Sequence, residues 1–311
     1  MSGWRAALVA TTVGMLVLAI GWLVGRDEGA TNSASTTSAP VVTGVTLACP
    51  RALELVCRAV GSELTLPVTV LRPGAAPPGE AVVIAANSDL PPELTGPEIG
   101  RSPIVLAVWQ DRSDVLANSC DAAVDLTCAI ERLGQDWEEL GGPVGWGRVT
   151  LGVADPATSE AGLAGWEALV DAGATAEVVD RGVTTAPADD GALMLEVAQI
   201  GKSRVSMVVT TEVAIASQLD NIKRNVGRFA FTYPDPGPWV SYVAAATGGG
   251  AEAVIERLLT PEVQSILASS GLRPVDGSTE GLPADFGEPG TPSPTPDVAA
   301  RDRLLELWGD L

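Results

Sequence analysis

A chain of 311 residues is long enough for one large domain or for two lobes with cores of their own. Its 46% apolar and 19% charged content excludes a disordered or fibrous chain, and a net charge of −20, from 39 acidic against 19 basic residues, argues against nucleic acid or any other polyanion as a partner. Histidine is absent from the sequence, which removes Ser-His-Asp and Cys-His catalysis, the zincin helix and the commonest general base.

Ala6–Gly25 is uncharged throughout, long enough to span a bilayer and longer than a usual signal-peptide core. It predicts an N-terminal transmembrane anchor over residues 1–26, contacting the membrane through Ala6–Gly25. Thr31–Pro40 is small and polar, so residues 27–43 read as a flexible stalk. Cys49, Cys57, Cys120 and Cys128 all follow the anchor, and their even number fits two disulfides in an oxidising compartment. The expected location is therefore the cell membrane, single-pass, with the main domain extracytoplasmic. In a continuous helix, residues spaced as Cys49 and Cys57 are would lie roughly 12 Å apart, beyond disulfide reach. Asn118–Thr127 reads as a loop, and local pairing, Cys49–Cys57 with Cys120–Cys128, is favoured over the two crossed connectivities.

The fold is expected to begin near Val41, with a strand through Ala48 and a helix from Pro50 through Leu53, Leu55, Val56 and Val60. Leu66–Pro73, Ala81–Ala86 and Ile104–Trp109 follow as strands, nearly all apolar as buried parallel strands are. Only the proline-rich run 73–80 separates the first two of these, too short for the usual crossover helix. Residues 113–147 show little periodicity, and Trp137 reads as a packing residue. Val149–Ala154 is a short apolar strand that breaks at Asp155-Pro156 and becomes a helix capped by Thr158 or Ser159, with Leu163, Trp166 and Val170 on one face. Such a turn leaves unpaired N–H groups at the strand's carboxyl end, where α/β folds place ligands.

Further on, Asp189 or Asp190 caps a helix through Leu193, Val197 and Ile200 that stops at Gly201. Arg204–Thr210, Arg228–Tyr233 and Trp239–Ala246 read as strands, with Pro234–Pro238 as a crossing between lobes. Thr260-Pro261-Glu262 opens a helix that buries Val263, Ile266 and Leu267 and ends at Gly271. Residues 276–297 form a Pro/Gly-rich linker, and residues 298–311 a short amphipathic helix using Leu304, Leu305, Trp308 and Leu311.

Three runs, ADPATSEAGLAGWEAL, GALMLEVAQIGKSRVSMVV and LLTPEVQSILASSGLRPV, resemble in their order the signatures of type 2 extracytoplasmic solute-binding proteins. The resemblance is to the bacterial solute-binding domain found with von Willebrand factor type A domains and, distantly, to molybdate-type binding proteins. It covers residues 44–275 and implies a two-lobed α/β, type 2 periplasmic-binding-protein-like fold, with lobe 1 in 44–112 and 238–275 and lobe 2 in 113–237.

Four loops then meet at the cleft: Ala48-Cys49-Pro50, Asn87-Ser88-Asp89, Thr158-Ser159 and Thr210-Thr211-Glu212. The implied ligand contacts are Asn87, Ser88, Thr158, Ser159, Gly162 and Thr211, although Ser159 as a helix cap and Asn87-Ser88 as turn formers fit the same residue types. In molybdate-type proteins the first loop carries an anion-binding hydroxyl, whereas here Cys49 and Pro50 stand in its place.

No catalytic residue, cofactor or metal ligand is assigned, and the chain does not read as an enzyme. Two functions stay open. One is a membrane-anchored solute-binding protein that closes on an unknown small molecule for transport or sensing, with a transporter permease or envelope protein as partner. The other is a degenerate binding-protein fold that serves as a cell-envelope interaction module without a small ligand. An open polar cleft favours the first and a cleft filled by side chains the second. The anchor is checked by fractionation: the full-length protein is expected in the membrane fraction, and a mature soluble form beginning near residue 30 would show a cleaved signal instead.

Overall fold

The computed structural model describes residues 44–72, 74–120, 124–276 and 278–309. The expected anchor and stalk lie outside the described residues, and no helix among the described residues is long and apolar enough to cross a membrane. In chain order the elements are β1 (Thr46–Pro50), α1 (Glu54–Leu64), β2 (Val68–Leu71), β3 (Ala81–Ala86), β4 (Glu98–Trp109), α2 (Gln110–Ala117), α3 (Leu126–Arg132), β5 (Leu151–Val153) and α4 (Glu160–Asp171). They continue with α5 (Ala176–Gly182), β6 (Val183–Thr185), α6 (Asp190–Ile200), β7 (Met207–Thr211), α7 (Glu212–Asn225), β8 (Phe229–Thr232), β9 (Trp239–Ala246), α8 (Glu252–Leu258), α9 (Pro261–Ser269) and α10 (Val298–Gly309).

The strands form one mixed sheet in the order β2-β1-β3-β9-β4-β7-β5-β6, with β8 also on β4. β4 is the axis. Its residues Glu98–Pro103 pair antiparallel with β9, whereas Ile104–Trp109 pair antiparallel with β7 on one edge and β8 on the other. One strand thus belongs to two lobes, and it changes partners between Pro103 and Ile104. The return crossing runs from β8 to β9, and the Ile104 N–H reaches Pro238 O at 2.9 Å, tying the two crossings together.

In the first lobe, β1 pairs parallel with both β2 and β3. Because strand side chains alternate, Leu47 and Cys49 face α1, α8 and α9 in the main core, while Ala48 faces the other way. Among the described residues that second face carries no α-helix. Residues 72–80 return from β2 to β3 without one among the described residues, and the small residues Ala48, Ala81, Val83 and Ala85 are covered by Leu71, Leu90 and Leu94. The helix expected from Pro50 begins later, because Pro50 ends β1 and Arg51–Leu53 form a 3-10 turn before α1. Cys49 and Cys57 therefore stand on a strand and a helix rather than on one helix. They are bonded with Cα atoms 6.6 Å apart, as are Cys120 and Cys128 at 5.9 Å.

The second lobe packs α4 and α6 against opposite faces of β5 and β7, with Trp109, Trp137 and Trp166 almost fully buried. Burying one such side chain stabilises the fold by about 1.5–3 kcal/mol or more. The Trp137 indole N–H donates to Ser206 Oγ at 3.2 Å, which fits its expected packing role. β7 begins at Met207 rather than Arg204 because Gly201–Ser203 form a further turn after α6.

At the junction of the lobes lies a buried ion pair. Arg273, which follows α9, donates from Nε and Nη2 to the two Glu212 oxygens at 2.7 Å each, and from Nη2 to Gly287 O at 2.8 Å. Glu212 and Arg273 are 0% and 2% exposed, and the Tyr233 hydroxyl also donates to Glu212. Removing one partner of such a pair leaves a buried charge uncompensated. Arg273→Ala is therefore expected to cost about 3–5 kcal/mol in urea unfolding, with Arg273→Met combined with Glu212→Leu recovering most of it. A loss below about 1 kcal/mol for the single variant would mean the pair does not hold the junction.

Candidate functional site

Two turns face each other between the lobes. From the first lobe, β3 ends at Ala86 and a 3-10 turn, Asn87–Asp89, presents Ser88 and Asp89. From the second, β5 leads into α4, whose cap is Ser159: its Oγ accepts from the Gly162 N–H at 3.2 Å. The two starts are clasped reciprocally. The Glu160 carboxylate accepts from the Ser88 N–H at 2.7 Å and from the Ser88 hydroxyl at 2.6 Å, while the Glu160 N–H donates to Asp89 Oδ1 at 2.9 Å. Each lobe thus supplies the acceptor for a free N–H group of the other.

Beside this clasp the lobes touch through backbone. A Cβ on Gly191, at the start of α6, would lie 2.3 Å from Ala52 N and 2.7 Å from Arg51 C, so only glycine permits this approach. Its neighbour Asp190 is 4% exposed and accepts the Thr211 hydroxyl at 2.6 Å. Thr211 in turn caps α7, accepting from the Ala214 N–H at 3.3 Å. Tyr242 of β9, 2% exposed, lies beside Thr211 and Asp190. Burial, followed by the Asp190 carboxylate, pushes its phenol well above the ordinary range and keeps it protonated.

The structure brings Ser88 and Thr211 to the interlobe contact, both engaged with carboxylates of the chain itself. Asn87 is exposed on the turn. Thr158 faces its own lobe, donating to Ala188 O at 2.8 Å. Ser159 is buried as the cap, and a Cβ on Gly162 would lie 2.7 Å from the Ala154 and Asp155 carbonyls, so the close approach there is within the second lobe. Cys49, expected in the first loop, lies on β1 and is fully buried in its disulfide. Asp190, Gly191 and Tyr242 were not singled out as contacts by sequence reasoning. The Asp-Asp-Gly helix start was their only signal, since Tyr242 sits in an otherwise apolar strand.

The site is rich in carboxylates. Asp89 stands on an exposed turn, yet its carboxyl faces α4; loss of water there and the nearby Glu160 and Asp190 charges raise its pKa to about 7, against the Glu160 N–H bond and Arg301. Burial raises Asp190 to about 6, against the Thr211 hydrogen bond. Such a lining suits a neutral or cationic group better than an anion.

A sheet shared by two lobes, with two chain crossings and opposed turn and helix starts between them, defines a two-lobed periplasmic-binding-protein-like fold. Solved structures agree in fold. Iron-bound HitA from Pseudomonas aeruginosa is 14% identical over 86% of this chain and 98% of its own, with a TM-score of 0.52. The periplasmic molybdate-binding protein of Azotobacter vinelandii is 13% identical over 73% and 98%, TM-score 0.50, and the ferric binding protein of Campylobacter jejuni 13% identical over 86% and 96%, TM-score 0.50. No curated protein matches the sequence. Residues 82–273 match the family of bacterial extracellular solute-binding proteins, and the chain belongs to that family. Membership places the folded domain outside the cytoplasm, in a family of binding proteins rather than enzymes.

The carboxylate pKa values set a pH dependence. Asp89 and Asp190 rise from an ordinary 3.8 to about 7 and about 6, so the folded chain binds more protons than the unfolded one across that window. Their contribution to stability therefore falls as pH rises through it and levels off above about 7. Glu167, raised to about 7 by burial and Asp171, adds to the same slope. The melting temperature is expected to drop between about pH 5 and pH 8, and Asp89→Asn, which keeps an acceptor for the Glu160 N–H, to flatten the drop in part. An unchanged pH profile in Asp89→Asn would show that Asp89 is not strained in the folded chain.

Proposed function

We propose that this protein is a membrane-anchored member of the solute-binding family that serves as a cell-envelope protein-interaction module, its cleft closed by its own side chains. The observation that carries this reading is the Glu160 carboxylate on the Ser88 N–H and hydroxyl. A carboxylate there supplies the acceptor that an anionic ligand would otherwise bring, and the return bond from the Glu160 N–H to Asp89 makes closure self-sufficient. The run Ala6–Gly25 would anchor the domain and residues 27–43 would lift it from the membrane.

A second reading, a solute receptor working with a transporter permease or a sensor, is favoured by the crowding of Asp89, Glu160 and Asp190. A cationic or neutral polar solute that displaced Glu160 from Ser88 would relieve that crowding. Native mass spectrometry of the full-length protein released from detergent separates the two. The expected mass is that of the polypeptide with two disulfides, and added molybdate or ferric ion should leave its melting temperature unchanged. A small molecule that co-purifies with the wild-type protein would overturn the first reading in favour of the second.

A further inference from the structure

We infer that the free edge of β8 is a docking site for an extended, basic peptide segment of a partner protein, which joins the sheet there as an added strand. The inference rests on the interaction-module reading and names the surface and the chemistry it would use. Among the described strands β8 pairs only with β4, which leaves its other edge with unpaired backbone groups. A cavity of about 630 Å³ lies along it and touches every residue from Phe229 to Tyr233. Successive strand residues point to opposite faces, so a cavity that meets all of them in turn runs along the edge.

The opposite wall is already built. Asp285 and residues 287–290 line it, held by the Lys223–Asp285 ion pair, by Arg273 donating to Gly287 O at 2.8 Å and by Thr291 N–H donating to Asp235 Oδ1 at 3.0 Å. Phe229 and Phe231 both line the slot, backed by Trp109 at 4.1 Å and by Phe286 at 5.4 Å between ring centroids, so the slot has an aromatic base for alternate side chains of an incoming strand.

Charge selects the occupant. Asp235, Asp285 and Glu288 line the slot, and no lysine or arginine among the described residues does. Asp285 is matched by Lys223 and Asp235 by Thr291, while Glu288 is exposed and forms no ion pair among the described residues. A second copy of this chain, at a net charge of −20, would meet repulsion at this rim, whereas a basic segment would be attracted. Backbone bonds along four strand residues then fix its extended form.

The test uses the full-length protein in detergent and a labelled heptapeptide of alternating lysine and valine, followed by fluorescence anisotropy and hydrogen exchange. Saturable binding is expected, with slowed exchange at the amides of 229–233. The same peptide N-methylated at every second residue, or with glutamate in place of lysine, should bind at least about tenfold more weakly. Glu288→Lys, an exposed change with an unaltered melting temperature, should weaken binding by about threefold or more. Absence of binding, equal binding of the N-methylated peptide, unchanged exchange over 229–233, or indifference to Glu288→Lys would each overturn the inference. Its failure is distinct from that of the cleft reading. A protein that binds the peptide yet carries a co-purified solute keeps the edge site and loses the closed cleft, and a ligand-free protein that ignores the peptide does the reverse.

Discussion

The Glu212–Arg273 pair stands where the chain crosses between lobes, and much of the molecule's geometry follows from it. Glu212 is the first residue of α7 in the second lobe, where its charge also meets the positive end of the helix. Arg273 closes the first lobe by exchanging backbone hydrogen bonds with Arg101, at 2.8 and 2.9 Å, on the first-lobe half of β4. Tyr233 reaches the pair from the return crossing and Gly287 from the chain after α9. Two desolvated charges are tolerated because every oxygen and the fork of the guanidinium are engaged. Burial and the adjacent Glu212 carboxylate hold the Tyr233 phenol up, so it remains a donor to the pair.

The pair also orders the interlobe contact, because Glu212 follows Thr211 directly. Ser102, on β4 just before the partner change, accepts from the Val213 N–H at 3.1 Å and fixes the start of α7 from the first lobe. With that start fixed, Thr211 caps α7 and donates to Asp190, which opens α6, and α6 meets the Arg51–Leu53 turn through Gly191. The Ser88–Glu160–Asp89 clasp engages the start of α4 in the same way. Closure therefore rests on three helix starts of the second lobe, each satisfied by a short polar residue or a carboxylate. In this chain two polar groups at that contact, the Ser88 and Thr211 hydroxyls, donate to carboxylates of the chain itself.

The sequence was most legible where local chemistry decides structure. β3 and β9 are apolar runs, and α4, α6 and α9 carry a cap or proline at one end and a periodic apolar face, so their places could be read within a few residues. Only the second half of β4 was readable. Glu98, Gly100 and Arg101 break the apolar pattern of the first half, and Gly100 is there because a Cβ would lie 2.7 Å from Arg273 O, a tertiary reason. α2 and α3 were hidden for a similar cause: they are short, and Arg112 is buried on Trp146, its guanidinium 3.6 Å from the ring centre. At the site, Ser88 and Thr211 were visible as polar residues after strands, but their partners Glu160 and Asp190 lie 72 and 21 residues away in sequence, a separation that no local pattern reports.

The chain after α9 completes the constraint. It leaves the first lobe at Arg273, reaches α7 through Asp285 and Lys223, packs Phe286 on β8, and meets the return crossing where Thr291 donates to Asp235, Gly237 donates to Thr291 O and Ser293 donates to Gly237 O. α10 then lies on α4: the Trp166 indole N–H donates to Leu304 O at 2.8 Å, and Trp166 meets Trp308 edge to face at 5.4 Å. From there the Arg301 charge works against the burial that raises the Asp89 pKa, as the smallest of the influences on it. A swing of one lobe away from the other would have to break the Ser88–Glu160 clasp and move Asp89 away from both Glu160 and Arg301, while the same tail keeps its hold on the crossing.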